Sequence, residues 1–152
     1  MININLVCVG NLKEKFSKEA QAEYVKRLSS FCSLKIVEIK EQNQLQNPVA
    51  IVQKEGVDIV KNLKGYVILC DIKGKELSSE KLSEKIKSIM MLSSTITIVV
   101  GGSYGVSEEV KKLADEKISF SPMTFPHNLF RIMLLEQIYR AFTIIENKSY
   151  HK

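Results

Sequence analysis

Apolar residues along this chain arrive in two rhythms. Short runs rich in β-branched residues stand at positions 4–9, 34–39, 66–70, 95–100 and 117–120. Runs of that length, bounded by glycine, proline or polar clusters, predict strands. Between them the period lengthens. Phe16, Ala20, Tyr24 and Leu28 recur every four residues with Lys and Glu interleaved, which predicts an amphipathic helix with those four on its buried face. Asn47 followed by Pro48 supplies a cap and a first-turn proline for a helix to about Leu63 that buries Ile51, Val52, Ile59 and Leu63. Ser78 caps a helix carrying Leu82, Ile86, Ile89 and Met90, and Ser107, with Glu108 and Glu109 behind it, caps a short one whose positive end suits those carboxylates. A last helix covers positions 128–147. The segment Asp71-Ile72-Lys73-Gly74-Lys75 reads as a tight loop after the third strand.

Five strands alternating with helices predict an α/β domain with a mainly parallel sheet and flanking helices, as one domain over residues 1–152. Ligands of such sheets sit beyond the carboxyl ends of the strands. Gly10, Gly74, the Gly101-Gly102 pair and the loop 120–125 fall at those ends, and the last three are expected to converge on one pocket. The terminal helix is apolar around nearly its whole circumference, from Leu129 and Phe130 to Ile144 and Ile145. One sheet needs only one apolar stripe, so the surplus predicts a second copy of the chain, with a central core helix as the alternative.

Composition narrows the classes. With 152 residues and 45% hydrophobic content, the chain can build a core without metal or disulfides. A net charge of +5 favours an anionic partner. Cys8, Cys32 and Cys70 are odd in number and widely spaced, which argues against a zinc site and a secreted disulfide framework and for a reducing cytosol. No charged leader precedes the first apolar run, and no run is long enough for a bilayer, so a cytoplasmic protein with no membrane partner is expected.

The loop Phe120-Ser121-Pro122-Met123-Thr124-Phe125-Pro126-His127 is the richest in candidate chemistry. Its prolines hold a path that is neither helix nor strand. Phe120, Met123 and Phe125 can wall an apolar slot while Ser121 and Thr124 supply hydroxyls, a setting for a flat heteroaromatic base read through the backbone. Gly101-Gly102-Ser103-Tyr104-Gly105 matches a nucleophile elbow, with Asp115 and His127 following in hydrolase order. The pattern is short and mostly glycine, and a tight turn needing positive φ accounts for it equally. No phosphate-loop or dinucleotide fingerprint is present. The closing Ser149-Tyr150-His151-Lys152 combines an aromatic, an imidazole and a cation, a kit suited to RNA contact and proton handling.

Six segments in order carry a resemblance. Val9-Gly10-Asn11-Leu12-Lys13, the 71–75 segment, Val99-Val100-Gly101-Gly102-Ser103-Tyr104-Gly105, the 120–127 loop, Glu136-Gln137-Ile138-Tyr139-Arg140-Ala141 and Tyr150-His151-Lys152 resemble the RlmH (YbeA-type) family of SPOUT-class methyltransferases from end to end. That resemblance implies an alpha/beta knot fold with a C-terminal trefoil knot, a homodimer, and methyl transfer from S-adenosyl-L-methionine to N3 of a pseudouridine in large-subunit ribosomal RNA on the ribosome, not DNA. It places the cofactor on Cys70, Gly101, Phe120, Ser121, Pro122, Met123, Thr124 and Phe125. Leucine is frequent in the family where this chain has Cys70.

The reaction needs donor and acceptor held in line and one proton managed, because the sulfonium is already a strong methyl donor. N3 becomes a nucleophile when its proton leaves, and His151 is the titrating group of the tail suited to take part. Tyr150 and His151 are expected to reach the partner's pocket and order the base, with Arg140 binding phosphate or orienting the tail. The rival readings are a non-catalytic ribosome-binding protein of the same fold and a methyltransferase of the same class acting on transfer RNA.

Overall fold

A computed structural model describes residues 1–152. The elements run β1 (Ile2–Val9), α1 (Lys15–Leu28), β2 (Cys32–Ile39), α2 (Pro48–Val60), β3 (Tyr66–Glu76), α3 (Ser79–Met90), β4 (Thr95–Val100), α4 (Glu108–Leu113), β5 (Glu116–Ser119) and α5 (His127–Ile145). The strands form one sheet in the order β2-β1-β4-β3-β5, with every pairing parallel. A parallel sheet covered on both faces needs apolar residues at successive positions, which is why β1 and β4 read as continuous apolar runs. Alternate residues divide between two cores. Ile4, Leu6, Ile96 and Ile98 face α3 and α5 and pack with Leu82, Ile86, Leu134, Ile138 and Phe142. Val7, Val9, Val67, Leu69 and Val99 face the other way and pack with Ile59 of α2 and Val110 of α4.

The helix starts follow local chemistry. Asn47, Ser78 and Ser107 each accept a backbone N–H of the first turn, from Val49, Lys81 and Val110 respectively. The buried face of α1 keeps Leu28 and, in part, Ala20 and Tyr24, but not Phe16. Phe16 is 72% exposed, while Ser17 and Leu28 are buried. Gln21 and Tyr24 meet α5: Gln21 accepts from Arg131, and the Tyr24 and Tyr139 rings lie 6.5 Å apart. Met90, expected on the buried face of α3, lies at its exposed end.

Residues 71–75 turn as expected, with Asp71 Oδ1 accepting from the N–H of Lys73 at 3.0 Å, but the turn lies inside the span of β3, whose pairing resumes at Lys75. Ile118 of β5 pairs with Cys70 and again with Lys75. A residue in a parallel ladder has one neighbour on each edge, so β3 lies along one edge of β5, crosses it, and resumes on the other. Gly74 marks the crossing: a Cβ there would stand 2.7 Å from backbone atoms of Lys117 and Ile118. The chain that leaves β5 for α5 therefore emerges from beneath a strap made of residues 71–75.

Candidate active site

The carboxyl ends of β3, β4 and β5 enclose a cavity of about 330 Å³. Cys70, Gly101, Phe120, Ser121, Met123, Thr124 and Phe125 line it, whereas Pro122 shapes the loop without lining the cavity. The expected convergence therefore holds for the glycine pair and the 120–125 loop. Gly74 serves the strap, whose Asp71, Ile72 and Lys73 reach the cavity instead.

Short hydroxyl bonds hold the loop. Ser119 Oγ accepts from the N–H of Ser121 at 3.2 Å and donates to its carbonyl, and Ser121 Oγ accepts from the N–H of Met123 at 2.9 Å. Such bonds fix a path that neither helix nor sheet would supply. Phe120 packs on Phe130 of α5 with ring centroids 4.6 Å apart, giving the cavity an aromatic wall. On the opposite side, Gly101 and Gly102 allow the backbone to pack closely against its neighbours. A Cβ on Gly101 would come within 2.8 Å of Val106, and one on Gly102 within 3.0 Å of Val9. The positive φ expected of this turn belongs to Gly105, at +80°. Ser103 forms no relay with Asp115 and His127. Asp115 accepts from the N–H of Val67, and His127 lies against Glu41.

Cys70 lines the cavity and is half-buried. Burial, aided by Cys8 nearby, pushes its thiol well above the usual thiol range, so it stays protonated.

The three tail candidates form a second cluster. Asn147, at φ +55°, ends α5 in a left-handed residue, and Lys148 donates back to Thr143. The tail so reversed lies on α5. Arg140 grips Glu136 through Nε and Nη2 at 3.2 and 2.9 Å, and Tyr150 donates to the same carboxylate at 2.8 Å. That bond raises the Tyr150 hydroxyl above its ordinary range, with burial adding to it. His151 is held on both nitrogens, with Arg140 Nη1 3.0 Å from Nδ1 and Glu80 at Nε2. Arg140 therefore orients the tail. Neither it nor Tyr150 nor His151 lines the cavity of its own chain. Glu136, the anchor of this cluster, also borders a second hollow between α1, α3 and α5 that shares Phe120 and Phe125 with the first.

Sequence comparison then decides the family. A model described as "Predicted SPOUT methyltransferase" matches residues 2–151. The chain belongs to the SPOUT methyltransferase family. It is 49% identical over 159 residues to ribosomal RNA large subunit methyltransferase H 1 of Clostridium perfringens, covering 99% of this chain and 100% of that protein. It is 47% identical to ribosomal RNA large subunit methyltransferase H of Clostridium botulinum and 44% identical to that of Fusobacterium nucleatum, with the same coverage. Among solved structures, a probable methylase family protein from Haemophilus influenzae superposes with a TM-score of 0.53 at 16% identity, over 99% of this chain and 70% of that one, a likeness of fold. In this SPOUT chain, sequence reasoning missed Glu136, the buried Arg131 and the pairing of His127 with Glu41. A charge flanked on both sides by apolar residues of a helix is the signal that could have marked Arg131, since such a group stays buried only when partnered.

Proposed function

We propose that residues 1–152 form one cytoplasmic methyltransferase domain that transfers a methyl group from S-adenosyl-L-methionine to N3 of a pseudouridine in large-subunit ribosomal RNA. The observation that carries the reading is the meeting of Gly101, Cys70 and the 120–125 loop around one cavity at the strand ends. The names of the C. perfringens, C. botulinum and F. nucleatum relatives support the RNA class. The β3 crossing over β5 supports a trefoil knot, with α5 drawn through the loop that residues 71–75 close.

The residues fit the cofactor. The Phe120 and Phe130 wall and the exposed backbone edge at Gly101 and Gly102 suit a flat adenine, and the loop backbone can read its edge. Asp71, Lys73 and Lys111 line the same cavity and suit the charged ends of the amino acid part. When bound, the sulfonium supplies an activated methyl group. The protein's work is to exclude water, hold the acceptor in line and dispose of a proton. Cys70 adds one constraint: a thiolate beside an alkylating sulfonium would be methylated, and burial keeps it a thiol. Iodoacetamide at neutral pH should therefore modify Cys70 roughly tenfold or more slowly than a solvent-exposed thiol. Added cofactor should slow it further, as followed by peptide mass mapping. Labelling unaffected by cofactor would remove Cys70 from the pocket.

The enzyme acts as a homodimer in this reading. α5 keeps apolar residues outside its own core, among them Leu129 at 50% exposure and the half-buried Ile132, Met133 and Ile144. A second copy along that helix would take the tail, with Arg140, Tyr150 and His151, to the pocket of its partner. His151→Ala should then slow methylation on the order of 10²-fold, the scale of a misplaced reactant. Cofactor affinity by calorimetry should stay nearly unchanged, and equal loss of both would refute the assignment. The decisive assay offers intact ribosomes, isolated large subunits and naked RNA, then maps the modified nucleotide by mass. Absence of both cofactor binding and methylation would leave only a ribosome-binding protein.

A further inference from the structure

Methylation at N3 releases a proton, and the tail is poorly placed to accept it. Both ring nitrogens of His151 are engaged, one by Arg140 and one by Glu80. A different imidazole lines the cofactor cavity. His127, the first residue of α5, borders it beside Phe125 and Phe130, and its Nε2 lies 3.2 Å from Glu41 Oε1.

The local chain is shaped around this pair. Gly10 ends β1 at φ +94°, and a Cβ there would stand 2.6 Å from Glu41 Oε1 and 3.4 Å from His127 Nε2. One turn along α5, the buried Arg131 donates to the Gly10 carbonyl at 3.0 Å, fixing the helix start against the strand end. Both pair members are roughly three-quarters enclosed, with side chains 27% and 29% exposed.

We propose that His127 is the general base of the transfer and that Glu41 is its positioning residue; this rests on the reading given under Proposed function. The negative charge of a carboxylate 3.2 Å from Nε2 favours the tautomer with its proton on Nε2, which puts the lone pair on Nδ1. In the step, the N3–H bond breaks and its proton passes to Nδ1. The N3 electron pair forms the new bond to the methyl carbon. The pair of the broken methyl–sulfur bond remains on sulfur as a neutral thioether, and the positive charge ends on the imidazole, facing Glu41. Charge and atoms balance without a further reactant.

Several charged groups surround this imidazole. Glu41 approaches from the β2–α2 connection. Glu55 of α2 acts through space and is itself raised by burial, an effect opposed by its bond from the Gln42 N–H. Asp71 and Lys73 of β3 and Lys111 of α4 line the same cavity, and Arg131 follows on α5.

The test uses the full chain with ribosomal substrate. His127→Gln should bind S-adenosyl-L-methionine within about threefold of the parent by calorimetry, yet transfer methyl roughly 10²- to 10⁴-fold more slowly in single turnover, the usual worth of a general base. The acidic limb of the pH–rate profile should vanish with it, and added imidazole should restore part of the rate. Glu41→Gln should retain that limb but lose about tenfold. Ring nitrogen NMR of the cofactor-free parent should show His127 protonated on Nε2 above its titration. Rates within threefold of the parent, an acidic limb that persists, parallel loss of affinity and rate, or a proton on Nδ1 would each overturn the proposal. Should His127→Gln fail to fold, the Glu41→Gln profile and the tautomer decide. A parent that neither binds cofactor nor methylates RNA overturns the underlying reading as well.

Discussion

Gly74→Ala should cost the protein about 3 kcal/mol or more of stability, with a fall in Tm of roughly 6–12 °C for a chain of this size. The new Cβ would lie 2.7 Å from the backbone N and C of Ile118 and the backbone C of Lys117. Those atoms belong to a strand paired on both edges by β3, so they cannot retreat without giving up hydrogen bonds. Either the strap lifts or β5 unpairs from one edge. Because Ile118 and Ser119 line the cavity, cofactor affinity should fall by about tenfold or more along with stability. Gly105→Ala is the natural comparison. It has open space around it and suffers only its φ of +80°, a cost of about 1 kcal/mol. Equal Tm shifts for the two variants in thermal denaturation would mean that β3 does not cross β5 at Gly74.

Arg131→Ala should be the most damaging side-chain truncation outside the hydrophobic cores. The guanidinium is 1% exposed and donates to Glu38 at 2.7 Å, to Gln21 at 3.2 Å and to the carbonyl of Gly10 at 3.0 Å. These bonds join α5 to α1 and to the ends of β1 and β2. Its Nε is buried without a partner, so the group already carries a desolvation cost that only its remaining bonds offset. Truncation leaves a void and an orphaned carbonyl at the turn that shapes the pocket, for an expected loss of about 3–5 kcal/mol. Arg131→Lys should recover little, because a single ammonium cannot span three acceptors set in a fork. Glu38→Gln should be mild by contrast, since the Glu38 side chain is 42% exposed and the amide oxygen still accepts. Chemical denaturation of the three variants checks this order. A loss under 1 kcal/mol for Arg131→Ala would show that the guanidinium's cost and benefit cancel.

The two variants also separate kinds of support for the pocket. Gly74 acts through backbone proximity, and Arg131 through hydrogen bonds across a span of 121 residues to Gly10. Both are remote from any contact with the proposed cofactor. Their effects on affinity should therefore follow their effects on structure, unlike those of His127 and His151.

Much of this protein was legible in the order of its residues. β4 spans Thr95–Val100 as its unbroken β-branched run predicts, and Asn47, Ser78 and Ser107 cap the helices they precede, because strand bias and capping act between near neighbours. The grouping of Gly101 with the 120–125 loop was also readable, since strand ends in such sheets share one side. Tertiary structure alone decided the rest. Residues 71–75 carry a glycine and three charges and look like a turn, and they are one, but what the turn straps, a strand paired at Ile118 both before and after it, is set by a segment far along the chain. The face that α1 buries, the partners of Arg131 and the meeting of His127 with Glu41 were set by segments far apart in the chain. Periodicity records which side of an element is apolar, whereas the identity of what meets it depends on register and crossing, which no local pattern encodes.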